Sequence, residues 1–203
     1  MTTLVLASAS PARLATLRSA GIEPVVIVSG VDESQVAEVP PAELALQLAE
    51  LKCAAVARQL AERPEVPVGA LVLGCDSVLE LDGEAFGKPE NAADAVRRWQ
   101  AMRGRSGVLH SGHALRDTAG ARMAAATAST TVHFADVSDE EIEAYVATGE
   151  PLHVAGAFTV DGLGGAFVTG IEGDYHNVVG VSLPLLRELV LELGHSWTEI
   201  WGG

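Results

Sequence analysis

Basic residues are scarce in this chain: 13 Lys and Arg stand against 27 Asp and Glu, for a formal charge of -14. Polyanion binding draws most of its free energy from cations that neutralise phosphates, so a nucleic-acid partner is excluded. Lysine is rarer still. Lys52 and Lys88 stand against eleven arginines, and each marks a place where a compact ammonium rather than a planar fork is kept. Cysteine is limited to Cys53 and Cys75, too few for a disulfide framework, and both read as reduced thiols packed as small hydrophobes. Long apolar runs are missing, so no bilayer-spanning segment is expected. The opening run from Leu4 to Ala9 is too short for a secretory core and has no basic residue before it. A cytoplasmic location without membrane contact is the expectation.

What is present is enough apolar sequence, 48% of 203 residues, to bury a full core in one unit spanning residues 1–203. Leu4 to Ala7 reads as a buried strand, and Ser10-Pro11 as an N-cap with Pro at the first helical position, opening a helix that Gly21 ends. Pro24 to Ser29 is β-branched and predicts a second strand. Leu44, Leu48, Leu51 and Ala55 recur at helical spacing within a helix predicted over 42–63. Gly69 to Leu81 reads as a strand, returned through an Asp82-Gly83 turn to Glu84–Phe86. Asn91 with Asp94 opens a helix to Met102, and strands follow over 107–117 and 122–134. Ser138 and Glu141 form a capping-box pattern. Glycine density from Gly156 to Gly180 predicts loops and short strands, and a helix over 184–193 follows. Strands and helices alternate throughout, giving an α/β class with a partly antiparallel sheet.

Four constellations carry chemistry. Ser8-Ala9-Ser10-Pro11-Ala12-Arg13 offers hydroxyls, free backbone N–H groups, a helix N-terminus and a guanidinium, all of which match phosphate oxygens. Asp76 lies in Gly74-Cys75-Asp76-Ser77, between apolar strand residues, where a carboxylate loses hydration and must find a cation, a metal or donors. Lys88, in Gly87-Lys88-Pro89 beyond the hairpin, returns an ammonium toward that carboxylate. Asp32-Glu33 and Lys52 supply acids and a further cation, and Glu33 with Asp76 could bind a divalent metal together with phosphate oxygens. His110 and His113, three apart on a strand, point to opposite faces and do not form a zinc pair. A G-x-S-x-G nucleophile elbow is lacking, so a serine hydrolase fits poorly.

Taken in order, these pieces resemble the Maf family of nucleotide pyrophosphatases. The resemblance rests on Ser8 to Arg13, Asp32-Glu33, Lys52-Cys53, Asp76-Ser77, Gly87 to Pro89, Arg103 to Ser106, Glu150-Pro151 through Gly156, and Ile171-Glu172-Gly173 to Gly180. It implies an inosine-triphosphatase-like fold, a mixed curved sheet flanked by helices in two lobes with a nucleotide in the central cleft. It also implies a Mg²⁺ or Mn²⁺ requirement, homodimers, and cleavage of a nucleoside triphosphate to the monophosphate and pyrophosphate. Asp76 is then the general base. Ser8, Ser10, Arg13, Lys52 and Lys88 are the phosphate contacts, and Glu33 with Asp76 holds the metal. The family's pyrimidine-directed pattern resembles S-P-R-R, D-T and I-Q-G, and its methylated-guanine pattern S-P-W-R, D-Q and S-E-G. This chain carries Ala12, Ser77 and Asp161 at those places and matches neither, so a broadly selective enzyme is expected. The alternative is a nucleotide-binding regulator of cell division, which would need the cationic clamp but no Asp76.

Overall fold

The first strand, β1 (Leu4–Leu6), is three apolar residues long and runs parallel to both of its neighbours. A strand so placed is covered on both faces, and Leu4, Val5 and Leu6 are accordingly buried. The computed structural model to which β1 belongs describes residues 1–33, 36, 39–63 and 66–202. Helix α1 (Pro11–Ser19) starts as the sequence predicts, with the Ser10 side chain accepting from the Arg13 N–H and Pro11 in the first turn. The expected strand over 24–29 shrinks to β2 (Val25–Val26), because among the described residues β1 is its sole partner and offers only a short edge.

A seven-stranded mixed sheet has the order β2-β1-β3-β5-β6-β7, with β4 paired to β3. Its centre is β3 (Leu71–Leu81), which turns at Asp82 (φ 55) and Gly83 (φ 83) into β4 (Glu84–Phe86). Paired positive φ values of this kind match the right-handed twist of the flanking strands. Two long antiparallel strands, β5 (Ser106–Asp117) and β6 (Met123–Phe134), extend the sheet to β7 (Val168–Glu172). Helices α3 (Ala92–Met102) and α4 (Asp139–Ala147) start at the predicted Asn91 cap and at the Ser138/Glu141 capping box. They enclose Trp99, which meets Phe134, Tyr145 and Phe167 edge to face at 5.6–5.7 Å. The glycine-rich stretch contains 3₁₀ turns and β7 and also a short helix, α5 (Tyr175–Val179), where only loops and strands were expected. Helix α6 (Leu183–Glu192) follows the Ser182 cap.

Helix α2 (Pro41–Gln59) lies within the helix predicted over 42–63 apart from its first residue, and ends four residues short of it. Leu51 is exposed, and the sheet-facing residues are Ala45, Leu48, Ala49, Lys52, Cys53 and Val56. The reason is the closeness of helix to sheet. A Cβ on Gly74 would lie 2.2 Å from the Ala49 carbonyl oxygen, and one on Gly112 would lie 2.2 Å from that of Ala45. Only small residues fit where backbone rests on backbone, and Ala45, Ala49 and Cys53 stand at those two points.

The apolar core divides along β3. One cluster joins β1 and the first half of β3 to α1 and α6; another joins the second half of β3 to α3 and α4; a third lies beneath α2. Among the described residues, no helix is long and apolar enough to cross a membrane.

Candidate active site

Between the two halves of β3 the sheet is open along one side. On one flank β5 pairs from Leu71 to Glu80. On the other, β1 pairs with Leu71–Leu73 and β4 with Leu79–Leu81, so among the described residues no strand neighbours Gly74 to Val78 there. Asp76 and Ser77 occupy the middle of this gap. One wall is the loop from β1 into α1, which carries Ser8 and Ser10. The other is the chain leaving β4 through Gly87, Lys88 and Pro89. Strand alternation sends Asp76 to the α2 face and Ser77 to the α1 and α5 face, so groups on both sides of the sheet reach the same opening.

On the α2 face, Lys52 Nζ contacts Asp76 Oδ1 and lies 2.7 Å from Glu33 Oε1. The Lys52 and Asp76 side chains are 11% and 13% exposed, whereas Glu33 is 55% exposed. A carboxylate amid apolar strand residues needs such a counter-charge. The glycine contacts explain how it is delivered: Lys52 sits between Ala49 and Cys53, the residues resting on Gly74. Two carboxylates sharing one ammonium leave a net negative charge facing the opening.

Across the sheet, Arg13 is a hub. Its Nε donates to Gly180 O at 3.0 Å, Nη1 to Ser8 Oγ at 3.1 Å and Cys75 O at 3.0 Å, and Nη2 to Ser77 Oγ at 3.0 Å. Guanidinium has five N–H donors, so one remains. Ser77 Oγ also lies 2.8 Å from Ser111 Oγ, and Ser111 in turn donates to Asn177 O on α5 at 3.2 Å. Ser10 spends its hydroxyl as the α1 cap, while Ser8 Oγ accepts from the Ser10 N–H. Lys88 is exposed and makes no hydrogen bond or ion pair with any described residue. It stands on the far wall of the gap, outside the Lys52 cluster.

Ala12 and Asp161, far apart in sequence, line one hollow of about 270 Å³ between α1 and α5, together with Thr16, Tyr175 and His176. The loop that carries Asp161 is held by Glu150, a residue that sequence reasoning placed in a motif without giving it a role. Its carboxylate accepts from the N–H groups of Leu163 (3.0 Å) and Gly164 (3.1 Å), from Tyr145 OH (3.1 Å) and from the Thr159 hydroxyl. Burial alone would raise the Glu150 pKa, but these donors hold it below the usual glutamate range. Ser111, Asn177 and Glu150 were also missed. Their only signal is polar character at positions facing inward, which a single sequence does not display.

The two histidines do face opposite sides of the sheet. His110 lies between Glu80 Oε2 (2.9 Å) and Ser129 Oγ (2.8 Å). His113 is fully buried on the other face, donating from Nδ1 to Ser111 O and accepting at Nε2 from the Ser182 N–H, both at 2.9 Å. Burial first, then the nearby Arg13 charge, pushes its pKa down to about 4. Cys53 and Cys75 are buried free thiols. Burial pushes them up to about 11 and about 12, which leaves them protonated and unreactive.

Comparison with known proteins agrees over almost the whole chain. The family model described as Maf-like protein matches residues 3–193. A nucleoside triphosphate pyrophosphatase of Salinispora tropica is 65% identical over 98% of this chain and 87% of its own length. Proteins of the same name from Streptomyces avermitilis and Streptomyces coelicolor are each 60% identical over 98% of this chain and 94% of theirs. With the model and the relatives both spanning nearly the full length, the chain belongs to the Maf family.

Proposed function

We propose that this chain is a hydrolase acting on acid anhydrides, a nucleoside triphosphate pyrophosphatase that releases a nucleoside monophosphate and pyrophosphate. Relatives named for that reaction cover 98% of the chain at 60–65% identity. The single observation that carries the chemistry is the Asp76–Lys52–Glu33 cluster at the stretch of β3 that is open on one flank. Water attacks the α-phosphorus while its proton passes to the Asp76 carboxylate. The bond from the α-phosphorus to the bridging oxygen breaks, and pyrophosphate leaves with the bonding pair. Lys52 holds and orients the Asp76 carboxylate, and Lys88, on the opposite wall, meets the departing phosphates. Arg13 acts mainly as a positioning residue that fixes Ser8, Ser77 and the Gly180 turn, with one N–H left for a phosphate oxygen.

Glu33 and Asp76 are suited to a hard divalent cation such as Mg²⁺ or Mn²⁺. Among the described residues no group of three or more His, Cys, Asp or Glu side chains could enclose a metal by itself. Two carboxylates with the remaining positions left to phosphate and water are what such a cation takes in nucleotide enzymes. When bound there, it would neutralise charge on the phosphoryl oxygens.

Ala12, Ser77 and Asp161 are the groups that face the base, and the small Ala12 leaves the α1–α5 hollow wide. We infer broad base selection, in a cytoplasmic enzyme that works as a homodimer. The test is a panel of canonical and modified triphosphates with Mg²⁺ or Mn²⁺, scored for both products. Pyrophosphate release across several bases is expected. Release of orthophosphate alone would rule out α–β cleavage, and a single accepted base would rule out broad selection.

A further inference from the structure

A second cavity lies away from the Asp76 cluster. It holds about 370 Å³ and is lined by Arg58, Arg116, Thr118 and three alanines, Ala54, Ala57 and Ala121. That size falls at the lower end of small-ligand sites. Arg58 comes from the last turn of α2, and Arg116 from the end of β5 that pairs with Val72. Arg116 is four steps along the strand from Gly112, the partner of Asp76, which is about 13 Å along the sheet.

The charge pattern around this cavity is unusual for the chain. With 27 acids available, eight of the eleven arginines engage partners. Among the described residues, only the side chains of Arg58, Arg116 and Arg187 make no hydrogen bond or ion pair, and two of those three line this one cavity. Two like charges brought to one hollow by separate elements repel each other unless an anion lies between them. The carbonyl end of α2 contributes only about half a negative charge, which does not neutralise two guanidinium groups. Thr118 is not the recognising group, because its hydroxyl already donates to Ala70 O at 2.9 Å. The two planar forks leave ten N–H donors free, a match for the several oxygens of a phosphate group. Methyl-lined walls add room without adding a competing acceptor.

We infer that the Arg58–Arg116 cavity is a second oxyanion site, separate from the catalytic gap, which takes a phosphate or diphosphate group. That group can belong to free pyrophosphate or to the phosphate end of a nucleoside monophosphate. The full chain, ¹³C-labelled at alanine methyls, is titrated with sodium pyrophosphate at constant ionic strength, and in a parallel arm with a nucleoside monophosphate. The Ala57 and Ala121 methyls should shift and saturate, and Arg116→Gln should weaken that saturation at least tenfold. Arg58→Gln, at an exposed position, should do the same while leaving the urea midpoint and triphosphate turnover unchanged. Saturation in the pyrophosphate arm alone identifies the free ion, and saturation in both arms identifies a nucleotide-compatible site. Methyls that stay still in both arms, or that shift equally in the Arg58→Gln protein or with sodium chloride, overturn the inference. The readout reports on these methyls alone, so its failure would not touch the Asp76 chemistry, which is scored by product release.

Discussion

Replacing Gly74 by alanine tests how the fold delivers Lys52 to Asp76. The added Cβ would stand 2.2 Å from Ala49 O, 2.7 Å from Cys53 N and 2.8 Å from Cys53 Cβ. Two of these neighbours are α2 backbone, which cannot rotate away, so the helix must retreat by roughly 1 Å to reach ordinary contact. Overpacking of this kind costs about 1–3 kcal/mol. Lys52 lies between the two displaced residues, and a misplacement of about 1 Å at a catalytic group costs about 10²-fold in rate. Gly74→Ala should therefore lower the urea midpoint and, at temperatures where the protein remains folded, cut turnover about a hundredfold. Gly87→Ala serves as the control for stability, since nothing lies within 4 Å of a Cβ there. A Gly74→Ala protein with the wild-type midpoint and turnover would refute the close-approach argument.

Other expectations follow from the same geometry. His113 has its pKa pushed by burial from 6.5 to about 4, so the unfolded chain takes up this proton before the folded one does. The stabilisation is complete above about pH 6.5 and falls by about 3 kcal/mol as pH drops toward 4. Urea titrations at pH 7, 5.5 and 4 should show that loss and should flatten in His113→Gln. Glu150→Gln removes the charge that holds the Leu163 and Gly164 N–H groups, at a cost of about 1–3 kcal/mol, and frees the Asp161 loop. KM should rise more than kcat falls, and a fall in kcat with KM unchanged would contradict the loop's role in binding. Arg13→Lys keeps the charge and loses the fork that ties Ser8, Cys75, Ser77 and Gly180 together. Turnover should drop despite the conserved charge, and a fully active variant would return Arg13 to a simple electrostatic role.

The parts of this molecule legible from sequence are those decided within a few residues. Ser10-Pro11, Asp82-Gly83 and Ser138 with Glu141 each specify a cap or turn by local chemistry, and each stands where expected. Asp76 announced itself as an acid in an apolar run, and its contact with Lys52 is the compensation that burial requires. The buried face of α2 was not legible, because leucine periodicity marks bulk, whereas the face is set by Gly74 and Gly112 on distant strands. Helix α5 hides among glycines for a related reason. It is five residues long, and it is held by Asn177, whose Nδ2 donates to Leu109 O and Thr130 Oγ1 across the sheet. The same distance problem conceals Glu150, whose partners span Tyr145 to Gly164.

The most direct measurement is hydrolysis in ¹⁸O-labelled water, with the wild-type protein beside Asp76→Asn. Attack at the α-phosphorus puts the label into the nucleoside monophosphate and leaves pyrophosphate unlabelled, and loss of the base should slow that reaction by about 10²–10⁴-fold. Label recovered in pyrophosphate or orthophosphate, or an Asp76→Asn protein as fast as wild type, would contradict the account.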